Sequence, residues 1–376
     1  MTGKKKIIHI IQSLNSGGCE HMLLRTLPLL SDGFGHHIIT LREPGELAPR
    51  FTEKGIPVTT VNLGGFFDFP GYRRLLSEIA RLAPDVIITY LFHADMIGRL
   101  FLQPTLKWRM SHGNSTPIIP FLRTTYNHPK YLVARILEWL TRPFVRQYLA
   151  NSEAVKNFYT KHLGVQPEKI TVIPNGIDIS YFNSITADPK LKASFHIKPG
   201  GLVIICVANL HINKGHQYLL RAFEEVYKKY PETHLLIVGD GTEHARLKNQ
   251  IRKYVSKSNI TFLHRRTDVP QLLKISDCLV LPTLFEGMPN AIMEAMASGL
   301  PVITTDIPEN RSLVENDKTG FLVPLKSWEK IVEITIALIA DEKLRKKSGE
   351  TGRRFIEENF SLKSSANSFG EFLKNL

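Results

Sequence analysis

The sequence predicts an α/β protein built of two doubly wound, parallel-sheet domains. Three observations lead there. The chain of 376 residues is longer than one hydrophobic core usually supports. Short apolar, β-branched runs alternate with amphipathic helical stretches nearly end to end, as strand–helix–strand units require. The alternation lapses at 181–200, where the prolines and glycines crowd, and restarts at Leu202 with LVIICVANL, an apolar run that suits a central parallel strand. The expected organisation is a first domain at 1–180, a linker at 181–200, a second domain at 201–360, and a last helix at 361–376 able to cross back onto the first domain.

Taken in order, residues 6–12 form a β-rich run that enters Ser13-Leu14-Asn15-Ser16-Gly17-Gly18, and a helical pattern follows at Met22, Leu23, Leu27 and Leu30. Glycines in such a turn let the backbone approach a ligand. Further strands are expected at 36–41, 57–61, 85–89, 117–122, 147–150 and 170–174, with helices at 72–83, 94–102, 131–145 and from Ser152. In the second half a strand runs to Leu210, a helix starts at Gly215, and a strand at 234–238 enters the turn Gly239-Asp240-Gly241. A helix to Val255, strands at 260–263 and 278–281, a helix, a strand at 301–304 and two closing helices complete the chain.

Composition narrows the function classes. A hydrophobic content of 43% with 22% charged residues is ordinary for a soluble globular protein. No stretch approaches the roughly 20 apolar residues of a membrane span. The start, MTGKKKIIHIIQ, stops being apolar after Ile11 and passes into a glycine loop, so it reads as a first strand and not a signal peptide. Cys19, Cys206 and Cys278 stand far apart and read as buried thiols of a reducing compartment, neither a disulfide framework nor a metal site. The expected location is cytoplasmic, with peripheral attachment to the inner face of the plasma membrane left open.

The net charge of +13 leans toward the first half, where 21 Lys and Arg in 1–180 face 13 Asp and Glu. The excess is mixed with bulky apolar groups in Lys107-Trp108-Arg109 and in YLVARILEWLTRPFVR at 131–146. An evenly solvated basic surface and docking on an anionic membrane both account for this. Nucleic acid is not an expected partner, since no reader motif or zinc spacing accompanies the charge.

Chemistry concentrates at 281–299, LPTLFEGMPNAIMEAMASG. An apolar strand ends at Pro282, a loop carries Glu286 and Gly287, and a helix is expected with Pro289 at its first turn. Proline costs nothing there, because first-turn amides lack intrahelical partners. Those amides and the positive end of the helix dipole form an anion cradle. Glu286 and Glu294 place a carboxylate on either side of it. Lys214, between a strand end and Gly215, can set an ammonium on a phosphate. Each glycine loop follows a strand, and ligands of open α/β sheets bind beyond the strands' carboxyl ends; a cleft between two such domains is therefore expected.

These segments together resemble the retaining glycosyltransferases of the two-Rossmann-domain (GT-B) architecture, family four. The matching stretches, in order, are SGGCEHMLLRTL, YLFHADMIGRL, ANSEAVKNFY, VIPNGID, VANLHINKGHQYLLRAF, LLIVGDGTEHARL, SDCLVLPTLFEGMPNAIMEAMASGLPVITTD and TGFLVP. The resemblance implies that Gly17 and Gly18 lie near the donor phosphate and acceptor, and that His93, in the loop after a strand, serves the catalytic cleft. It implies Lys214 on the diphosphate, Glu286 on donor-sugar hydroxyls and Glu294 on the ribose. Backbone of Gly287, Met288, Pro289, Asn290 and Ala291 would hold sugar and phosphate, with Gly239 and Asn209 also lining the donor site.

Two departures stand out. Asn209 occupies the position of the family's usual arginine, and Arg123 in PFLRTTYNH is a candidate compensating base for phosphate or acceptor. Pro308 and Glu309 replace flexible glycines, with Ser312 at the place of a later glutamate, so donor identity is expected to turn on 306–312. No Asp-x-Asp pair is present to hold a metal. The resemblance thus implies metal-independent transfer, with no cofactor, from a nucleotide sugar, expected to be UDP-linked, to a glycan or lipid-linked acceptor in polysaccharide or glycoconjugate synthesis. Two other readings stay open: a non-catalytic nucleotide-sugar-binding partner of a glycan-assembly complex, and a non-hydrolysing sugar-nucleotide epimerase.

Overall fold

The structure, a computed structural model, describes residues 4–376 apart from 66, 106–115, 127–130 and 199. Lys107-Trp108-Arg109 therefore lies outside the described residues. The chain divides into two compact units, Met1–Gly176 with Leu362–Leu376, and Ile177–Ser361.

In the first unit the strands are β1 (Lys5–Ile11), β2 (Phe34–Thr40), β3 (Val58–Thr60), β4 (Val86–Tyr90), β5 (Ile118–Leu122), β6 (Tyr148–Ala150) and β7 (Ile170–Val172). Among the described residues they form one parallel sheet in the order β3-β2-β1-β4-β5-β6-β7. β1 pairs with both β2 and β4, Ile7 lying opposite His36 on one side and Val86 on the other. Helices cover both faces, so Ile7, Ile8, Ile10 and Ile11 are all buried, which is why β1 reads as an apolar run without alternation. The helix Leu362–Lys374 belongs to this unit: Phe369 and Leu373 are buried, the Phe369 ring lies 6.1 Å from that of Phe121, and Lys5 Nζ donates to the Leu373 carbonyl at 3.0 Å.

The second unit holds β8 (Val203–Val207), β9 (His234–Val238), β10 (Ile260–Phe262), β11 (Cys278–Leu281), β12 (Val302–Thr305) and β13 (Phe321–Val323), parallel in the order β10-β9-β8-β11-β12-β13. In each unit the strand order reverses beside the first strand, between β1 and β4 and between β8 and β11. Loops leaving the carboxyl ends of those two strands diverge there, which is where doubly wound sheets bind ligands.

Several expectations are corrected. The stretch 181–200 is not irregular throughout. Helices Ile179–Ser184 and Pro189–Ser194 occupy much of it, their first turns capped by the Asp178 and Asp188 side chains, and both fall in the second unit. β13 and the helices Ala48–Glu53 and Val269–Lys274 have no counterpart in the sequence reading, the two helices being too short for a helical period to show. Among the described residues no helix is long and apolar enough to cross a membrane.

Candidate active site

In the second unit, the chain leaves β8 through Asn209, turns at Ile212–Lys214, and enters the helix His216–Lys229 by way of Gly215. Gly215 has φ 68°, and a Cβ there would stand 2.0 Å from the Pro282 carbonyl oxygen. Only glycine permits that approach, and it brings the loop after β8 onto the end of β11. The Asn213 carbonyl accepts from Leu284 N at 2.7 Å and from Thr283 Oγ1 at 3.0 Å. From the other side, Thr304 Oγ1 donates to the Leu281 carbonyl at 2.8 Å, and Asn310 Nδ2 donates to Thr304 Oγ1 at 2.8 Å.

This scaffold places Lys214 Nζ 2.5 Å from Glu286 Oε1, with the side chains 20% and 9% exposed. A pair so sheltered interacts more strongly than one in open water. The Lys214 charge reaches further inward. Burial first, then Lys214, then His211 push the pKa of the buried His216 down to about 3, so that imidazole stays neutral. Burial raises the Cys206 thiol to about 12, with Lys214 opposing it.

The loop then enters the helix Asn290–Ala297, with Glu294 half-buried along it. Pro289 is not inside the first turn, as the sequence suggested. It stands just before the helix in an extended conformation, φ −78° and ψ 100°, and its carbonyl accepts from Ile292 N at 3.1 Å. Gly287, Met288 and Pro289 are buried, and Asn290 and Ala291 half-buried. Asn209 is exposed. Gly239 serves packing: at φ 141°, a Cβ would lie 2.1 Å from the Ala208 carbonyl oxygen.

The departure at 306–312 is a built feature. Pro308 opens the short helix Pro308–Arg311, Asp306 pairs with Arg311 at 2.5 Å, and Ser312 Oγ donates to the Glu309 carbonyl at 2.6 Å. Glu309 is only 2% exposed. A carboxylate buried at the end of β12 was missed by the sequence reading, which saw it as a replaced glycine. Thr283, Asn213 and Asn310 were missed as positioning groups; their one signal is polarity at the ends of apolar strands.

In the first unit, Gly17 precedes the helix Gly18–Thr26 at the end of β1, and Gly18 is exposed. A Cβ on Gly17 would meet Glu20 Oε2 at 2.5 Å. Glu20, also missed, is 8% exposed. Burial raises its pKa, while a backbone hydrogen bond and the charge of Arg123 pull it back. Arg123, just after β5, donates to Asn175 Oδ1 at 2.9 Å and lies 5.1 Å from the Phe121 ring. The structure thus gathers Gly17, Glu20 and Arg123. It places Arg123 and Asn209 in different units.

His93 is not in a loop. It is the third residue of the helix Leu91–Ile97, which starts three residues earlier than expected because Leu91, at φ 66°, turns the chain straight out of β4. The ring is exposed, and partial burial followed by the Arg42 charge lowers its pKa. Among the described residues no three His, Cys, Asp or Glu side chains cluster as a metal site.

Residues 17–181 match the family described as Glycosyltransferase Family 4, and residues 188–355 match Glycosyl transferases group 1. The chain is 33% identical over 372 residues to an Escherichia coli UDP-Gal:alpha-D-GlcNAc-diphosphoundecaprenol alpha-1,3-galactosyltransferase, covering 96% of this chain and 94% of that protein. It is 24% identical over 353 residues to a Campylobacter jejuni N-acetylgalactosamine-N,N'-diacetylbacillosaminyl-diphospho-undecaprenol 4-alpha-N-acetylgalactosaminyltransferase, covering 91% and 92%. In fold it resembles Anabaena HepE, solved in complex with UDP-glucose, at a TM-score of 0.84 and 22% identity over 99% of this chain and all of that one. Two doubly wound parallel sheets, family matches along both units and a relative aligned over nearly the whole length lead to one conclusion: the chain belongs to the group 1, family 4 glycosyltransferases of GT-B architecture.

Proposed function

We propose that this glycosyltransferase moves a sugar from a UDP-linked donor to a lipid-linked diphosphate-sugar acceptor, with retention of configuration and without a metal ion, in polysaccharide or glycoconjugate synthesis at the inner face of the membrane. The observation that carries the reading is the Lys214–Glu286 pair at the β8/β11 reversal. The two carrier-lipid relatives support the acceptor class by their names.

In this reading the bond from the sugar C1 to the β-phosphate oxygen breaks, and the acceptor hydroxyl oxygen bonds C1 on the same face. The acceptor proton leaves on the departing diphosphate. Negative charge grows on that diphosphate, where Lys214 and first-turn amides of the helix Asn290–Ala297 stabilise it. An ammonium has three donors, so Lys214 can serve a phosphate while keeping Glu286. Glu286 orients the ammonium and accepts from a sugar hydroxyl. Glu294 accepts from the ribose, and Gly239, Asn209 and residues Gly287, Met288, Pro289, Asn290 and Ala291 line the donor. Gly17 and Gly18 approach the donor phosphate and the acceptor, His93 serves the catalytic cleft, and Arg123 serves phosphate or acceptor. A lysine cation replaces the divalent ion that an Asp-x-Asp pair would hold.

The test is turnover of a panel of UDP-sugars with a short-chain GlcNAc-diphospholipid, following the anomeric proton by NMR, with and without EDTA. An α-linked product from an α-linked donor, unchanged by EDTA, is expected. Lys214→Ala should lower kcat by about 10²–10³ with unchanged circular dichroism. Donor binding with neither transfer nor hydrolysis would show a non-catalytic binding partner. An epimerised sugar formed without acceptor would show an epimerase, and activity lost to EDTA and restored by manganese would overturn metal independence.

A further inference from the structure

The helix Leu132–Thr141 is built inside out. Its inward side carries charge: Glu138, 1% exposed, pairs with Arg99, 0% exposed, and Arg99 Nη1 also donates to Thr141 Oγ1 at 3.2 Å. Asp95, 2% exposed, is buried close enough for the Arg99 and Glu138 charges to act on it, and Tyr148 lies under the guanidinium at 5.4 Å. Among the described residues this polar core is not fully satisfied: Arg99 Nε and Nη2, Glu138 Oε1 and Asp95 Oδ1 have no hydrogen-bond partner there. The outward side carries hydrocarbon instead: Leu132 58%, Val133 68%, Ile136 48%, Trp139 49% and Leu140 53% exposed, continued by Phe144 at 50%. A helix on an aqueous surface has the opposite arrangement.

Apart from Glu138, the charges of this helix and the turn after it are all positive. Residues 131–146 contain Arg135, Arg142 and Arg146 and a single acid, Glu138, which is turned in upon Arg99. Arg146 is exposed; the half-buried Arg142 sets its guanidinium 5.1 Å from the Trp139 ring and donates to the Leu163 carbonyl, and the half-buried Arg135 sets its guanidinium 6.0 Å from the Phe158 ring. Guanidinium groups resting on aromatic rings beside exposed hydrocarbon, with Arg146 exposed at its edge, suit a boundary between hydrocarbon and anionic headgroups. Ten residues at about 1.5 Å each give only about 15 Å, so the helix can lie in that boundary but not cross it. A second copy docked by a two-fold axis would set this all-positive rim against itself.

We propose that this face seats on an anionic lipid bilayer, with Leu132, Val133, Ile136, Trp139, Leu140 and Phe144 at the acyl boundary and the exposed Arg146 on headgroup phosphates. The helix alone carries this, so it stands or falls separately from the donor and acceptor proposed above.

The test is co-sedimentation of the full chain with phosphatidylglycerol/phosphatidylethanolamine vesicles and with phosphatidylcholine vesicles, across a salt series. The protein should partition onto the anionic vesicles, the partition should fall as salt rises, and brominated acyl chains should quench Trp139. Ile136→Glu with Leu140→Glu should cut partition by about a hundredfold with an unchanged melting curve, both sites being exposed. Arg146→Glu should weaken binding to anionic vesicles and leave phosphatidylcholine unaffected. Wild-type protein that ignores vesicles, or an Ile136→Glu/Leu140→Glu protein that binds equally well, would overturn the proposal. So would a wild-type dimer, lost in that double variant, with no vesicle binding.

Discussion

Gly215 shows how much of the site rests on one residue. Its positive φ and the 2.0 Å a Cβ would leave to the Pro282 carbonyl oxygen mean that Gly215→Ala must push the loop after β8 away from β11. We expect a loss of about 1–3 kcal/mol, read from the urea midpoint. Turnover should fall further than stability accounts for, because Lys214 would leave its place beside Glu286. A Gly215→Ala enzyme with wild-type turnover would remove Lys214 positioning from the account. Glu286→Gln keeps the shape of the side chain and deletes its charge. On the roles proposed, it should raise KM for the donor and lower kcat, while Glu294→Gln should act on KM alone if its partner is the ribose.

At the scale of the element, the inside-out helix has an energetic consequence that can be measured without any membrane. Arg99 and Glu138 are both buried, and removing one partner of such a pair strands the other's charge. Arg99→Met should therefore destabilise the protein by about 3–5 kcal/mol. The double change Arg99→Met with Glu138→Leu removes both charges and should recover most of that loss. Equal destabilisation by the single and double changes would show that the pair's shape, and not its charge, holds the helix. The helix Asn290–Ala297 differs in kind: its apolar side is fully buried, with Ile292, Met293, Ala295 and Met296 in the core. It can hold Glu294 in a fixed place at the end of β11.

For the whole molecule, histidines buried neutral in both units tie stability to pH. Burial, then the neighbouring His36 and His37, lower His9. Burial brings His36 to about 4, and burial with Lys214 and His211 brings His216 to about 3. The unfolded chain takes up these protons near pH 6.5, where the native state does not. Below that pH the unfolded state binds more protons, so stability present above pH 6.5 is lost as pH falls. Each such histidine contributes up to about 1.4 kcal/mol per pH unit. Urea midpoints between pH 6.5 and 5 should show this slope, and His216→Leu should flatten it; an unchanged slope would mean that His216 is protonated in the native state.

Much was legible in the sequence alone. β9 and β11 lie where their apolar runs put them, because a strand covered on both faces must be apolar throughout. Strand–helix alternation gave the two parallel sheets, and the spacing of Glu286 and Glu294 marked a strand–loop–helix unit. The six-residue helices Ala48–Glu53 and Val269–Lys274, and the start of the helix at Leu91 instead of Ala94, were hidden because so short a run has no period and a leucine at positive φ leaves no trace in a pattern. The helical period of 131–146 was visible, but periodicity does not say which side faces in; only the buried Arg99 on another element turned its hydrocarbon outward. In the same way, Lys214 and Glu286 are 72 residues apart, and nothing local joins them. Their meeting follows from the crossover that lays β11 beside β8, together with a glycine small enough to let the two loops touch. Local composition determined which segments become strands and helices and which residue types could carry the chemistry. The order of strands in each sheet decided which of those residues stand within reach of one another, because proximity across a parallel sheet is set by long-range pairing.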